Sequence, residues 1–250
     1  MNLSSTFDGI RSGSYRDVFS IHEDQYDIIT VLKAQRYHGN PFTIDRYEFI
    51  RNDAMVMERL TASPRIVDIY GHCGTSVLTE FFPGEVEEFL IPGPGRREKL
   101  NDKNDVDPKN DLTAEEKLYI ALQMAESMAD LHGFKDGVIV HDDIQLCQYL
   151  FVGDGLTIKL NDFNRAEVML YDEKKGDYCR YQNGHGAGDY RAPEEYRDGH
   201  LNEKIDVWSL GNNIYALLTG LWIFYDEADD TYDKIQKRIM DGDIPYIDSR

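Results

Sequence analysis

The chain has 250 residues, 41% hydrophobic and 29% charged, which is the balance of a soluble globular protein with sequence enough for one large domain or two packed lobes. Its formal net charge of −19 argues against nucleic acid or an anionic membrane as the main partner, and it requires any anionic ligand to be met by locally placed cations. Three scattered cysteines (Cys73, Cys147, Cys179), a start without a basic-then-apolar leader and the lack of a bilayer-length apolar run make a soluble intracellular protein without membrane insertion the expectation.

From Ile10 to about Phe82, short apolar runs alternate with one helical stretch. Tyr26 to Lys33 is rich in β-branched residues and reads as a strand. Thr43 to Leu60 carries Ile44, Tyr47, Phe49, Ile50, Ala54 and Met57 close to helical period. Ile66 to Tyr70 and Ser76 to Thr79 read as two more strands, and the strand signal fades after Pro83-Gly84. Residues Pro92 to Leu112 are dense in Pro, Gly, Asn, Asp and Lys, the composition of an exposed loop. Thr113-Ala-Glu-Glu116 is a capping box that opens a helix with an apolar stripe through Leu118, Leu122, Ala125, Met128 and Leu131. Lys204 to Leu218 and Tyr232 to Met240 are two further helix candidates. A strand-rich first part and a helix-rich second part predict two lobes with a cleft between them.

The most informative stretch is Val138-Ile-Val-His-Asp-Asp-Ile-Gln-Leu-Cys-Gln-Tyr-Leu150, followed by Lys159-Leu-Asn-Asp-Phe-Asn164. It alternates apolar strand signals with two Asp-bearing loops. Ala192-Pro193-Glu194 and Asp206-Val-Trp-Ser-Leu-Gly211 follow in order. In this order the segments resemble the eukaryotic-type protein kinase domain. The resemblance implies an α+β fold with a small antiparallel sheet lobe over residues 1–82 and a larger helical lobe over 83–250. It also implies ATP and Mg²⁺ as cofactors and a protein substrate or signalling partner.

Carried over residue by residue, the resemblance makes Asp143 the catalytic carboxylate and Lys33 the phosphate-holding lysine, oriented by Asp53. Asp162 and Gln148 become the metal ligands. Gly13, Val18, Val31, Lys33, Thr79, Glu80, Phe82 and Leu150 surround the nucleotide, with Leu78 to Phe82 as the adenine-binding hinge and Val31 in place of a smaller alanine.

Several positions depart from the family pattern. In Ile10-Arg-Ser-Gly-Ser-Tyr-Arg-Asp-Val18 only Gly13 survives of three glycines, and Arg11 and Arg16 stand at the other two. They read either as solvated arginines beside an ordinary turn or as cations that replace lost backbone contacts to phosphate. Asp53 is one methylene (about 1.5 Å) shorter than the family's glutamate. Asp142 replaces an arginine that binds an activating phosphate, and residues 162–194 contain no Ser or Thr, so activation by Ser/Thr phosphorylation there is excluded. Gln145 and Ala187 replace an interacting lysine and threonine. Gln148 replaces a metal-binding asparagine, and Asn164 replaces a glycine, where its tolerance of positive φ would keep the backbone path. Glu194 is expected to be a buried carboxylate without its late-helix arginine, since the sequence stops at Arg250. A phosphotransferase and a non-catalytic pseudokinase serving as an interaction module both remain open at this level.

Overall fold

Five antiparallel strands and one long helix make the first part of the computed structural model, which describes residues 5–13, 16–23, 26–38, 41–91, 110–153, 155–184, 186–224 and 232–245. The strands are β1 (Ser5–Ser12), β2 (Arg16–Glu23), β3 (Ile28–Gln35), β4 (Ile69–Cys73) and β5 (Ser76–Glu80), in the order β1-β2-β3-β5-β4. β1 and β2 form a hairpin whose turn is closed by the Gly13 N–H donating to Arg16 O at 2.8 Å. The β3 strand begins two residues later than its sequence pattern suggests, because Tyr26 and Asp27 form the turn and Asp27 takes φ 51°. The strand expected over Ile66–Tyr70 is displaced too: Ile66 makes one parallel bridge to Leu160, and β4 starts only at Ile69.

Helix α1 (Ile44–Arg59) is capped by Thr43, whose hydroxyl accepts the Arg46 N–H. Ile50, Asp53, Ala54 and Met57 recur at helical period and form its buried face, so a carboxylate sits in the middle of an apolar stripe. β6 (Gly84–Glu85) and α2 (Val86–Leu90) lead into the second part. Most of the predicted exposed loop, residues 92–109, lies outside the described residues.

Helix α3 (Ala114–His132) opens with the expected Thr113–Glu116 capping box. Its buried face, however, is Ile120, Gln123, Met124, Ser127, Met128 and Leu131, whereas Leu118 and Leu122 are exposed. The stripe read from the sequence was rotated, because two polar residues belong to the core side. Gln123 earns its place there by accepting from Arg65 and the Ile158 N–H and donating to Leu156 O.

Four short strands then carry the loops that matter: β7 (Val138–Val140), β8 (Tyr149–Phe151), β9 (Ile158–Leu160) and β10 (Glu167–Met169), paired as β6-β8-β9 and β7-β10. Helices α4 (Pro193–Tyr196), α5 (Lys204–Thr219) and α6 (Tyr232–Asp241) complete the described chain. One core links Ile50 and Met57 of α1 with Met124 and Leu131 of α3 and with Tyr149, Leu160 and Phe163 around the loops. This α+β architecture, an antiparallel sheet lobe against a helical lobe, is the predicted one.

Candidate active site

A cleft of about 650 Å³ lies between the sheet and the helical part. Val18, Val31, Phe82 and Leu150 give it an apolar end, while Lys33, Asp143, Gln148 and Asp162 line the polar end, with Gly13, Thr79 and Glu80 along its walls. Every residue expected around a nucleotide therefore borders one space, as do the two expected metal ligands and the expected catalytic carboxylate. Asp53 does not: it is fully buried behind the wall. The Glu80 side chain is tied to Lys159 at 2.6 Å, and that lysine also holds Asp68 at 3.0 Å, so the Glu80 carboxylate braces the sheet.

The phosphate side departs from the solvated reading of Arg16. This arginine is 5% exposed and borders the cleft. Its Nη1 donates to Asp53 Oδ2 at 2.5 Å and its Nη2 to Asp162 Oδ1 at 3.1 Å. Lys33 Nζ is 3.8 Å from Asp53 Oδ2 and donates instead to Asn161 Oδ1 at 2.6 Å. The expected Lys33–Asp53 pair is present at 3.8 Å and is joined by Arg16 in a three-membered cluster. The short Asp53 side chain falls back to an ion-pair distance from the lysine, while the guanidinium reaches it from the hairpin. Asp53 Oδ1 also accepts the Phe163 N–H at 2.8 Å. Burial pushes its carboxyl up, but Arg16 and then Lys33 outweigh burial and hold it at about 2. Burial pushes the Lys33 ammonium down, opposed by Asp53 and reinforced by Arg16. The Arg11 side chain lies outside the described residues.

The acceptor side is built on β7 and the loop after it. Buried Asp206 of α5 accepts the backbone N–H groups of His141 and Asp142 at 2.8 and 3.0 Å, which fixes the loop. Asp143 Oδ1 then accepts from Gln145 Nε2 at 3.0 Å, the Tyr190 hydroxyl at 2.8 Å and Arg191 Nη2 at 2.9 Å. Among the described residues its Oδ2 accepts from Gln148 Nε2, at 3.3 Å. Gln145 also donates to the Tyr190 oxygen at 2.9 Å, so the interaction lost at Gln145 and Ala187 is rebuilt with Tyr190. Burial, and next the Asp143 charge, push the Tyr190 phenol far up, which keeps it a donor.

Asp142, which stands where the family has a phosphate-binding arginine, is 2% exposed and takes φ 61°. It pairs with Arg165 at 3.4 Å and Arg191 at 3.7 Å, and it accepts from Asn183. Two further expectations shift by one or two residues. The positive φ expected at Asn164 occurs at Asp162, φ 63°, and Asn164 donates its side-chain N–H to the Asp162 carboxylate. The buried carboxylate expected at Glu194 is Glu195, held by Arg191 at 3.0 Å and the Ala192 N–H at 2.7 Å; Glu194 is half-buried.

Comparison with known proteins decides the family. The model of the "Protein kinase domain" family matches residues 6–247. The chain belongs to the protein kinase domain family. It is 35% identical to an Aurora kinase of Eremothecium gossypii over 130 residues, which are 52% of this chain and 32% of the relative. It is 26% identical to the serine/threonine-protein kinase plk-1 of Caenorhabditis elegans over 180 residues, 72% of this chain and 26% of that protein. A third relative, "Probable serine/threonine-protein kinase PBL15" of Arabidopsis thaliana, is 30% identical over 258 residues, 99% of this chain and 55% of its own length. The chain thus spans between about a quarter and about half of these relatives.

Protein kinases use ATP and typically Mg²⁺, and the donor set of this kinase domain can be tested against both. Among the described residues no three His, Cys, Asp or Glu side chains converge to hold a metal by themselves. That suits Mg²⁺, which takes one or two protein oxygens and completes its shell with phosphate and water. Asp162 is one-third exposed to the cleft, and Gln148 spends its amide N–H on Asp143, which leaves its oxygen as the ligand atom. The residues fit the group. No helix among the described residues is long and apolar enough to cross a membrane.

Asn161, Tyr190 and Arg191 escaped the sequence reading of this kinase domain's site, and Arg16 was read there against phosphate and not as the partner of Asp53. The signal for that pairing was available: a carboxylate on the buried stripe of α1 needs close cations.

Proposed function

We propose that this kinase domain binds Mg-ATP in the cleft and transfers the γ-phosphate to a Ser or Thr hydroxyl of a protein. The observation that carries the reading is the convergence of Lys33, Asp143, Gln148 and Asp162 on one 650 Å³ cleft that Val18, Val31, Phe82 and Leu150 also line. The serine/threonine names of the relatives support the choice of acceptor.

In this reading Val31 and Leu150 sandwich the base, with Thr79, Glu80 and Phe82 at its edge, and Gly13 lets the hairpin turn approach the phosphates. Lys33, aimed by Asn161 and countered by Asp53, meets the phosphate oxygens. Mg²⁺ held by Asp162 and Gln148 would neutralise charge on the transferring group. Asp143 receives the acceptor hydroxyl proton on Oδ2, the less occupied oxygen, while Tyr190, Gln145 and Arg191 fix Oδ1 and so the carboxylate plane. The boundary between the lobes at residues 82/83 is part of the same reading, as Phe82 and Pro83 both line the cleft. The kinase names of the relatives do not favour the non-catalytic alternative.

The test is transfer of labelled phosphate from ATP to a mixed Ser/Thr protein substrate. Asp143→Asn should lower the rate by about 10²–10⁴-fold with little change in ATP affinity. Equal transfer by wild type and variant would overturn the assignment.

A further inference from the structure

Phosphoryl transfer spreads negative charge over the equatorial oxygens of the moving group, and a fixed cation beside them lowers the barrier. Gln145, which stands where the family has a lysine, does not supply that cation. Both of its amide N–H groups are committed, to Asp143 Oδ1 at 3.0 Å and to the Tyr190 oxygen at 2.9 Å. Among the described residues the cations that line the cleft are Arg16, Lys33 and Arg165. The first two are almost wholly buried, Arg16 between Asp53 and Asp162 and Lys33 against Asn161. Arg165 differs from both, with a side chain 33% exposed. It lies in the turn before β10, three residues after Asp162, and is tied to Asp142, the neighbour of Asp143. Its Nε donates to the Asp142 carbonyl oxygen at 3.3 Å and its Nη2 to the Asp142 carboxylate at 3.4 Å. Both contacts are at the long end of hydrogen-bond distance. They use two of the five N–H groups of a guanidinium, which leaves three for a ligand.

We propose that Arg165 is the catalytic cation of this kinase domain, donating from its guanidinium to the γ-phosphoryl oxygens of ATP. The inference rests on the reading of the cleft as an ATP site and assigns a residue to the transfer step itself. In that step the bond between Pγ and the β,γ-bridging oxygen breaks, its electron pair leaves with ADP, and the acceptor oxygen bonds to Pγ. The acceptor proton passes to Asp143 Oδ2. Arg165 neither gains nor loses a proton. Its fork suits phosphate oxygens, and its tie to the Asp142 carbonyl oxygen keeps it beside the residue that receives the acceptor.

The experiment compares ATP with ADP, which differ in the group that Arg165 is said to touch. Affinities of the full chain for both nucleotides are measured by titration calorimetry in Mg²⁺ buffer, together with kcat and KM for transfer to a protein substrate. Arg165→Ala should weaken ATP by at least about tenfold, the weight of one charge-assisted contact, and leave ADP within about twofold. It should lower kcat by about 10²-fold with the KM for the protein substrate unchanged. Arg165→Lys, which keeps the charge and guards against an alanine variant that folds poorly, should stay within about tenfold of wild type in kcat. Equal loss of ATP and ADP affinity in Arg165→Ala overturns the inference, since it assigns Arg165 a structural role through Asp142. A raised KM for the protein substrate with both nucleotide affinities unchanged also overturns it, because the cation then reads the substrate. Wild type that binds ATP without transferring phosphate overturns the proposed function, and the ATP-to-ADP ratio alone then decides the γ-phosphoryl contact. No binding of either nucleotide overturns both.

Discussion

The two sides of the cleft are each organised by one buried arginine, and their carboxylates respond in opposite directions. On the phosphate side Arg16 and Lys33 face Asp53 and Asp162, two cations for two carboxylates, and Asp53 is held at about 2. On the acceptor side Arg165 and Arg191 face Asp142, Asp143 and Glu195, two cations for three carboxylates. There burial pushes Asp142 up and pushes Glu195 up to about 7, and their arginines do not fully offset it. Asp53, Asp142 and Glu195 are all nearly inaccessible, at 0%, 2% and 3%. Burial is therefore common to the three, and the ratio of cations to carboxylates separates them.

The strongest way to break this comparison is to remove each arginine in turn. Arg191→Met leaves Asp142, Asp143 and Glu195 with Arg165 as their remaining cation, and should cost about 3–5 kcal/mol in urea unfolding. Arg16→Met should cost less, about 1–3 kcal/mol, because Lys33 is already 3.8 Å from Asp53 and can close on it. Equal costs would show that cation number does not set the difference.

A pH series sharpens the same point. The Glu195 carboxyl ionises near 4.5 when unfolded and at about 7 when folded, so between those values the folded chain holds a proton that the unfolded chain has released. Stability contributed by this group is complete below about pH 4.5 and is lost as pH rises through about 7. The melting temperature of wild type should fall across that window, and Glu195→Gln should flatten the fall. A profile that Glu195→Gln leaves unchanged would assign the slope to other groups.

Next in size is the coupling around Asp143. Gln145→Ala and Tyr190→Phe each remove a donor from one carboxylate oxygen and share a hydrogen bond with each other. A double-mutant cycle on the phosphoryl-transfer rate should give a coupling of about 0.5–3 kcal/mol. Additive effects would mean that the two side chains position Asp143 independently.

The smallest expected effect concerns regulation. Arg191, which a phosphotyrosine would need, is already committed to three carboxylates, and Asp142 stays where an arginine would receive phosphate. Tyr171→Phe, Tyr178→Phe and Tyr181→Phe together should leave transfer and stability within about 0.5 kcal/mol of phosphatase-treated wild type. Among the described residues the buried Tyr181 hydroxyl finds no hydrogen-bond partner, so its removal should cost little. A matched loss of activity in the triple variant and in phosphatase-treated wild type would reveal a phosphorylation switch.

Local sequence determined the elements and their order. The Thr113–Glu116 capping box, the α5 and α6 patterns and the β7–loop–β8 layout around Asp143 each depend on residues a few positions apart, and all appear in the structure. The positions lining the cleft were legible as well, because a motif fixes the spacing of Lys33, Asp143 and Asp162 along elements of known type. What the sequence left undecided was which charge meets which. Arg16 reaches Asp53 across 37 residues and Asp162 across 146, and the acceptor side joins Asp142 to Asn183 and Arg191. Propensity and periodicity act within a turn of helix or a strand, whereas an ion pair is settled by where separate elements come to rest and by how little water is left between them. Composition counted the cations and carboxylates; only the meeting of Arg16 on the hairpin with Asp53 on α1, and of Arg191 with Asp142, Asp143 and Glu195, decided that one side of the cleft has enough cations and the other does not.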